Sequence, residues 1–256
     1  MSLQQVTQEV LRAVEETTGR PVVVQADPSL GTVLAKLTMA RGSAAAHLVT
    51  YNPLAGAVDY IICSHCGFLL RMFQVPQSER FSLAGSWRGR KEIEKLITEH
   101  LRQKNLSFPK EIRSKMVEQF FGGIIQQLRS VPIGLRVDAW IHQNYPLLIE
   151  QQKQAIDRQL NDNTTSLRPD VRQIAPAKVF EANVGMNAAF ALFWSRTWND
   201  TLVNVPYKSS GHLATGEKLL GLWDEIPSEP ASDKNLIDAW GTHVGLTGWY
   251  DFVPYD

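Results

Sequence analysis

The amino-acid sequence predicts an α+β protein that is mainly helical. Up to Tyr51, one helical pattern is followed by three short segments with the composition and alternation of strands. From about Arg88 onward, the apolar residues repeat at the three- and four-residue spacing of helices. The chain has 256 residues, of which 44% are apolar, so it can bury a sizeable core without disulfides or metals. We therefore expect a small sheet beside a much larger helical part.

The amino-terminal segments predict one helix and a small antiparallel sheet. Residues 3–16 place valines at helical spacing, and a Gly-Arg-Pro sequence then ends the helix. Residues 21–25 form a short predicted strand. Residues 32–39 alternate between two faces and can pair with residues 46–51 as a hairpin. A helix over residues 30–40 is the alternative interpretation.

The segment Val58–Phe73 has the clearest amphipathic pattern of the first half. Its apolar residues and His65 repeat at the i, i+3, i+4, i+7 spacing of a helix with one buried face. The chain's two cysteines, Cys63 and Cys66, lie in the same segment. The predicted order is therefore helix, small sheet, and then this helix.

The remainder of the chain is dominated by helical patterns, interrupted by a glycine pair at residues 122–123 and by a proline at residue 146. We predict a sheet-and-helix unit at residues 1–74 and a helical region at residues 75–256, packed together as one compact domain. Helices are predicted over residues 93–106, 109–128, 135–145, 146–160, 177–198, 216–223 and 233–240.

Charge and composition exclude several classes of function. Lys plus Arg equals Asp plus Glu at 26 each, so no overall positive charge attracts nucleic acid or an anionic membrane. No apolar run approaches the about 20 residues of a membrane span, and the first residues do not have the pattern of a signal peptide. Two cysteines do not make a disulfide framework. We expect a cytoplasmic protein that binds neither membrane nor nucleic acid.

Four side chains in and before the central helix are candidate metal ligands. Cys63, His65 and Cys66 have the sulfur and nitrogen donors that zinc prefers, and His47 lies on the preceding predicted strand. A Cys-x-x-Cys pair is half of a structural zinc site, but the sequence has no second pair. On a helix, His65 is turned by about 200° from Cys63. We therefore expect two core cysteines and a core histidine, with a bound zinc as the alternative.

The same cysteines also permit a thiol-redox hypothesis. A cysteine at the start of a helix has a lowered pKa, because the helix dipole stabilises its thiolate. The hypothesis requires the helix to begin at Cys63, with residues 59–62 as a buried strand before it. The helical patterns that follow are not the alternating strands and helices of a thioredoxin-like fold.

A known zinc-site motif can be aligned with this helix. Peptidases of the HExxH type place two histidine ligands four residues apart, with a glutamate after the first histidine as general base. In this sequence Ser64 stands at the first ligand, His65 at the base and Phe68 at the second ligand, while Gly67 matches. With the preceding predicted sheet, residues 18–73 resemble the ImmA/IrrE-type zinc-peptidase family, whose motif helix reads roughly His-Glu-x-Gly-His.

The resemblance implies a zincin-like small sheet and motif helix packed on a larger helical region. It also implies a cytoplasmic bacterial protein with a role in stress response or mobile-element control. All three residues that perform the family's chemistry differ here, and Phe68 cannot bind zinc. We therefore predict a pseudo-metallopeptidase, a non-catalytic scaffold or regulatory protein that binds a protein partner, without a cofactor.

Two other functions are alternatives. The first is an enzyme, either a metal-dependent hydrolase or a thiol-redox enzyme, with a rebuilt centre at Cys63, His65 and Cys66 in which His65 is the catalytic candidate. The second is a structural subunit of a larger assembly, with its interface in the tryptophan-rich second half. Glu181 lies on a helix that could supply a third zinc ligand, but the sequence favours a hydrogen-bonding role for it.

Overall fold

The computed structural model describes residues 3–255 and shows a mainly helical α+β fold, which confirms the predicted class. In this range the helices are α1 (Gln5–Thr18), α2 (Val58–Phe73), α3 (Trp87–Gln103), α4 (Lys110–Asn144), α5 (Ile149–Thr164), α6 (Pro169–Ile174), α7 (Ala177–Trp198), α8 (Val205–Ser209), α9 (Leu213–Glu225) and α10 (Asp233–His243). The strands are β1 (Val22–Ala26), β2 (Ala35–Thr38), β3 (His47–Tyr51), β4 (Phe81–Gly85) and β5 (Tyr250–Pro254).

The chain forms two compact units. Unit 1 contains the chain up to Phe81, residues Gly134–Gln159 and the carboxyl-terminal residues from Pro254. Unit 2 contains Ser82–Ile133 and Leu160–Val253. Unit 1 therefore combines the predicted sheet-and-helix segment with helical residues from much later in the sequence. The predicted zincin-like arrangement stays a prediction.

α4 is one continuous helix where the sequence predicts two. A helix-internal proline removes one backbone hydrogen bond, and each glycine lowers helix propensity by about 1 kcal/mol. α4 nevertheless continues through Gly122, Gly123 and Pro132. Leu128 and Leu135, on either side of the proline, are fully buried. Burial of these apolar side chains outweighs the local preference to end the helix.

Unit 1 is built on a three-stranded sheet with the order β1-β3-β2. β2 pairs antiparallel with β3, with Leu37 opposite Val49, which confirms the predicted hairpin. β1 pairs parallel with β3, so the sheet is mixed rather than purely antiparallel. α1 packs on α2, and α2 also contacts β2 and β3. The helix Val58–Phe73 thus lies between α1 and the sheet, with the bounds that the sequence predicts.

Unit 2 has α7 at its centre, again with the predicted bounds. α9 packs closely on α7, because a Cβ added at Gly216 would lie 2.7 Å from Ala188 Cβ. Trp194, Trp240 and Trp249 are fully buried, so these tryptophans fill the core. None of the helices in the part of the chain described by the structure combines the length and hydropathy needed to cross a membrane.

Candidate functional site

The first turn of α2 is held by hydrogen bonds to Asp59. A carboxylate is favourable at this end of a helix, where the backbone N–H groups lack partners. Asp59 Oδ1 accepts from Thr7 Oγ1 at 2.6 Å and from the backbone N–H of Gln4 at 2.8 Å. Gln151 of α5 donates to the other oxygen, Oδ2, at 3.4 Å, and its own Oε1 accepts the N–H of Tyr60. Asp59 therefore joins α1 and α5 to the start of α2.

Tyr60 connects α2 to α4 through a buried hydrogen bond. Its hydroxyl donates to Asp138 Oδ1 at 2.8 Å, and both residues are buried. Burial raises the pKa of Asp138 to about 7, because the carboxylate loses its hydration, and the bond from Tyr60 only partly opposes this shift. The pKa of Tyr60 is also raised well above its usual value, by burial and by the adjacent carboxyl group.

Gln152 of α5 extends this network. Its Nε2 donates to the backbone carbonyl of Asp138 at 3.0 Å, and its Oε1 lies 3.0 Å from Nδ1 of His142. An amide oxygen only accepts, so Nδ1 is the donor of that bond. Asp138 and His142 are four residues apart and share one face of α4. That spacing is a sequence signal that places these two side chains together, and sequence reasoning missed it; it does not identify their partners on α2 and α5.

The motif positions of α2 lie on the side of the helix that packs against α4. Tyr60, Ser64 and Phe68 follow each other at four-residue spacing, and Ser64 hydrogen-bonds to the Tyr60 side chain. Phe68 Cζ lies 3.6 Å from the position of a Cβ added at Gly134 on α4. A Cβ added at Gly67 would lie 2.4 Å from Val137 Cγ1, so any other residue at position 67 requires Val137 or one of the two helices to shift.

Cys63 and Cys66 are fully buried free thiols. Burial raises the pKa of Cys63 to about 12 and raises the pKa of Cys66 further. Cys63 Sγ lies 3.8 Å from Thr7 Oγ1 of α1. Because α2 begins at Val58, Cys63 is not at a helix start, where a dipole would stabilise its thiolate.

The two candidate histidines bond to nearby backbone groups. His65 Nδ1 lies 2.8 Å from the carbonyl oxygen of Ile61 and donates to it, and burial lowers the pKa of His65. His47 is buried on β3, where Nδ1 accepts the N–H of Ala40 at 3.1 Å. Its ring stands edge-on to Phe73, and its Nε2 has no hydrogen-bond partner among the described residues. Burial also lowers the pKa of His47.

The residues at these positions do not fit a zinc ion of the HExxH type. Serine is a poor zinc ligand and phenylalanine has no donor atom, so Ser64 and Phe68 cannot replace two histidines. The Nδ1 atoms of His47 and His65 are engaged with the backbone. Within residues 3–255, no three His, Cys, Asp or Glu side chains lie together in a group that could hold a metal ion.

Comparisons with known proteins identify no relatives. No protein-family model matches the chain, and neither a curated protein nor a solved structure shows significant similarity to it. The resemblance to the ImmA/IrrE-type family therefore stays a prediction from the residues of α2 and the segments before it.

Proposed function

We propose that this protein is a non-catalytic, peptidase-like scaffold that binds a protein partner or regulates one. One observation supports the proposal above the others: the face of α2 that would hold the metal is packed against α4. A catalytic zinc needs an open coordination position for water and room for a substrate beside it. The contact between Gly67 and Val137 brings α4 against α2 beside Ser64 and Phe68, where that room would have to be.

The polar groups on this face are also suited to holding neighbouring helices in place rather than to catalysing hydrolysis. Tyr60, Asp138 and Gln152 bond to one another across α2, α4 and α5. A buried polar network whose members all have partners favours one packing arrangement over its alternatives. Such a network holds the helices of unit 1 in a fixed arrangement, as a binding scaffold requires. The context of this proposal, bacterial stress response or mobile-element control, comes from the resemblance alone.

Several observations disfavour the two alternative functions. An enzyme centred on Cys63, His65 and Cys66 needs an accessible thiolate or a set of metal donors, whereas burial raises the pKa of both thiols. A structural subunit with a tryptophan interface needs exposed tryptophans. Of the tryptophans from residue 194 onward, Trp194, Trp240 and Trp249 are instead fully buried, and Trp198 and Trp223 are half-buried.

Metal analysis tests the non-catalytic part of the proposal. Protein purified without chelators and without a histidine tag should contain zinc, iron and manganese far below one equivalent each. The Cys63→Ser and His65→Gln variants should give the same values, since neither residue is then a ligand. One equivalent of metal in the wild type that either substitution removes would overturn the proposal and support a rebuilt centre.

Partner binding is tested with purified components. A partner isolated by affinity capture should bind again when both proteins are pure, which excludes indirect association. The His65→Gln variant should bind with unchanged affinity, because His65 bonds to the backbone of its own helix. Loss of binding in a folded His65→Gln variant, or zinc-dependent peptide cleavage by the wild type, would contradict the scaffold function.

A further inference from the structure

Unit 2 contains a serine, a histidine and a glutamate joined by hydrogen bonds. His212 is buried, with Nδ1 3.0 Å from Ser210 Oγ and Nε2 2.7 Å from Glu181 Oε2. An ionised carboxylate accepts but cannot donate, so Nε2 of a neutral His212 has the proton. Nδ1 is then an acceptor for the Ser210 hydroxyl. Nucleophilic serines are activated by this arrangement of a base that is oriented by a third group.

We propose that Ser210 is a nucleophile for acyl transfer from carboxylic esters, with His212 as its general base and Glu181 as the residue that orients His212. This site lies in unit 2 and uses none of the residues of the α2 network. It goes beyond the proposed scaffold function, in which non-catalytic refers to the α2 face of unit 1 and not to unit 2.

The local fold fixes the positions of all three side chains. Glu181 lies on α7, and Ser210 follows the end of α8. Gly211 has a φ of 83°, a left-handed conformation that glycine adopts without strain and that turns the chain towards α9. The N–H of His212 then donates to the Tyr207 carbonyl at 2.9 Å, and its ring packs edge-on against Phe180. The base is therefore held by its backbone, by a ring contact and by Glu181.

The surroundings of Ser210 suit a reaction that develops negative charge on a carbonyl oxygen. His212 is the first flanking residue of α9, a helix of 13 residues, and no side chain caps that end of the helix. The N-terminal N–H groups of a helix and its dipole favour negative charge nearby. These N–H groups follow Ser210 and His212 directly in the chain, and the proposal assigns them to the oxyanion. Glu181 in turn stabilises the positive charge that His212 acquires during the reaction.

Access to Ser210 is open on the side of Gly211. Apart from its two neighbours in the chain, no described residue lies within 4 Å of a Cβ added at Gly211, and Ser210 itself is half-buried. The side chain of Glu181 is 58% exposed, so this edge of the site is in contact with solvent. The proposal requires a small ester to reach the serine hydroxyl from this side, and water to follow it for the second step.

The reaction needs no co-reactant other than water. Ser210 Oγ bonds to the carbonyl carbon of the ester while its proton passes to His212 Nδ1. The bond from that carbon to the leaving alcohol or phenol oxygen then breaks, and the same proton passes to the leaving oxygen. Water attacks the acyl-serine in the second step, with its proton taken by His212 Nδ1 and returned to Ser210 Oγ.

A purely structural role is the competing explanation. Ser210 Oγ also lies 3.1 Å from the Tyr207 carbonyl, so its hydroxyl can donate there instead of to His212. In that case the three residues only hold the turn between α8 and α9. The two roles differ in the reactivity of the serine, which can be measured directly.

The test uses the whole 256-residue chain with p-nitrophenyl acetate and a fluorophosphonate probe. Wild type should release p-nitrophenol and acquire one acetyl or one phosphonyl group on Ser210, located by peptide mass spectrometry. Ser210→Ala should lose the adduct, whereas Ser209→Ala, which changes the adjacent exposed serine, should retain it. Glu181→Gln should slow acylation by roughly 10²-fold or more, since it weakens the orientation and charge stabilisation of the base.

Circular dichroism of each variant separates loss of the fold from loss of reactivity. The proposal is overturned if wild type forms no adduct at Ser210, or if folded Ser210→Ala reacts as fast as wild type. It is also overturned if Ser209 is modified as readily as Ser210, which would indicate unactivated surface serines. None of these outcomes affects the metal content that tests the scaffold function.

Discussion

The close contact between α2 and α4 at Gly67 can be tested by adding one methyl group. A Cβ at position 67 would lie 2.4 Å from Val137 Cγ1. Carbon atoms in favourable contact lie about 3.5–4.0 Å apart, so Gly67→Ala requires a displacement of about 1 Å. Val137 is itself buried, so a change of its rotamer would displace other core atoms.

Two opposing effects determine the change in the free energy of unfolding. Overpacking a core costs about 1–3 kcal/mol, whereas replacing glycine by alanine inside a helix stabilises it by about 1 kcal/mol. Gly134→Ala is the matched control, because Gly134 lies in unit 1 on α4 and its added Cβ would meet Phe68 Cζ at an ordinary 3.6 Å. Both substitutions gain the same helix propensity. The difference between them therefore isolates the packing cost, which we expect to be about 1–3 kcal/mol.

Urea unfolding followed by far-UV circular dichroism measures both variants against wild type, with the midpoint and the slope m reported for each. The double variant Gly67→Ala with Val137→Ala removes the clashing methyl group. It should be less destabilised than the sum of the two single variants, by roughly 0.5–3 kcal/mol. This coupling would show that the cost arises at the contact with α4.

Equal stabilities of Gly67→Ala and Gly134→Ala, within about 0.5 kcal/mol, would refute the reasoning. The two helices would then leave space at the motif positions. A water molecule or a substrate group could enter that space, and the main support for a non-catalytic scaffold would be lost.

Three further outcomes are expected. Asp138 loses its proton near pH 4 in the unfolded chain and near pH 7 in the folded protein, so the free energy of unfolding of wild type should fall between these pH values, by at most about 1.4 kcal/mol per pH unit. The urea midpoint of Asp138→Asn should fall less than that of wild type between pH 5 and pH 8. An equal fall would contradict the effect of burial on Asp138. Gly216→Ala should lower the thermal midpoint more than Gly221→Ala on the same helix, because only the first added Cβ meets α7, at 2.7 Å from Ala188 Cβ; equal midpoints would argue against that contact. Cys63 and Cys66 should resist a thiol reagent at pH 8 in the native protein and react in urea, whereas fast native reaction would revive the redox hypothesis.

Sequence periodicity predicted the elements whose residues all follow one pattern. α2 and α7 have the predicted bounds, because each has one continuous apolar pattern with turn residues on both sides. The sequence does not predict β4 and β5. Each has only five residues, and the two strands pair with each other although they are far apart in the chain. Just after β4, Ser86 Oγ donates to the carbonyl of Gly248, 162 residues later. Pairing over such a separation leaves no local signal.

The candidate site shows the same limit. The position of Cys63 and Cys66 inside a buried helix follows from periodicity, and the structure places both there. The hydrogen-bond partners of Tyr60 do not follow from periodicity, because Asp138 lies 78 residues away and is brought close only by the packing of α4. The Ser210–His212–Glu181 arrangement is likewise defined in space, with Glu181 on a different helix.

The residues at positions 64 and 68, which are not zinc ligands, are consistent with the packing of α2 on α4. Ser64 and Phe68 are half-buried, so histidines at these positions would lose part of their hydration, which costs free energy unless a metal or a hydrogen bond compensates. Phe68 avoids that cost, and Ser64 bonds to Tyr60. The double substitution Ser64→His with Phe68→His should therefore lower the urea midpoint, and the variant should not bind zinc at one equivalent. If the double variant instead binds one equivalent of zinc and becomes more stable with it, then α4 can move away from α2. The side chains at these positions, and not the fold, would then prevent zinc binding in the wild type.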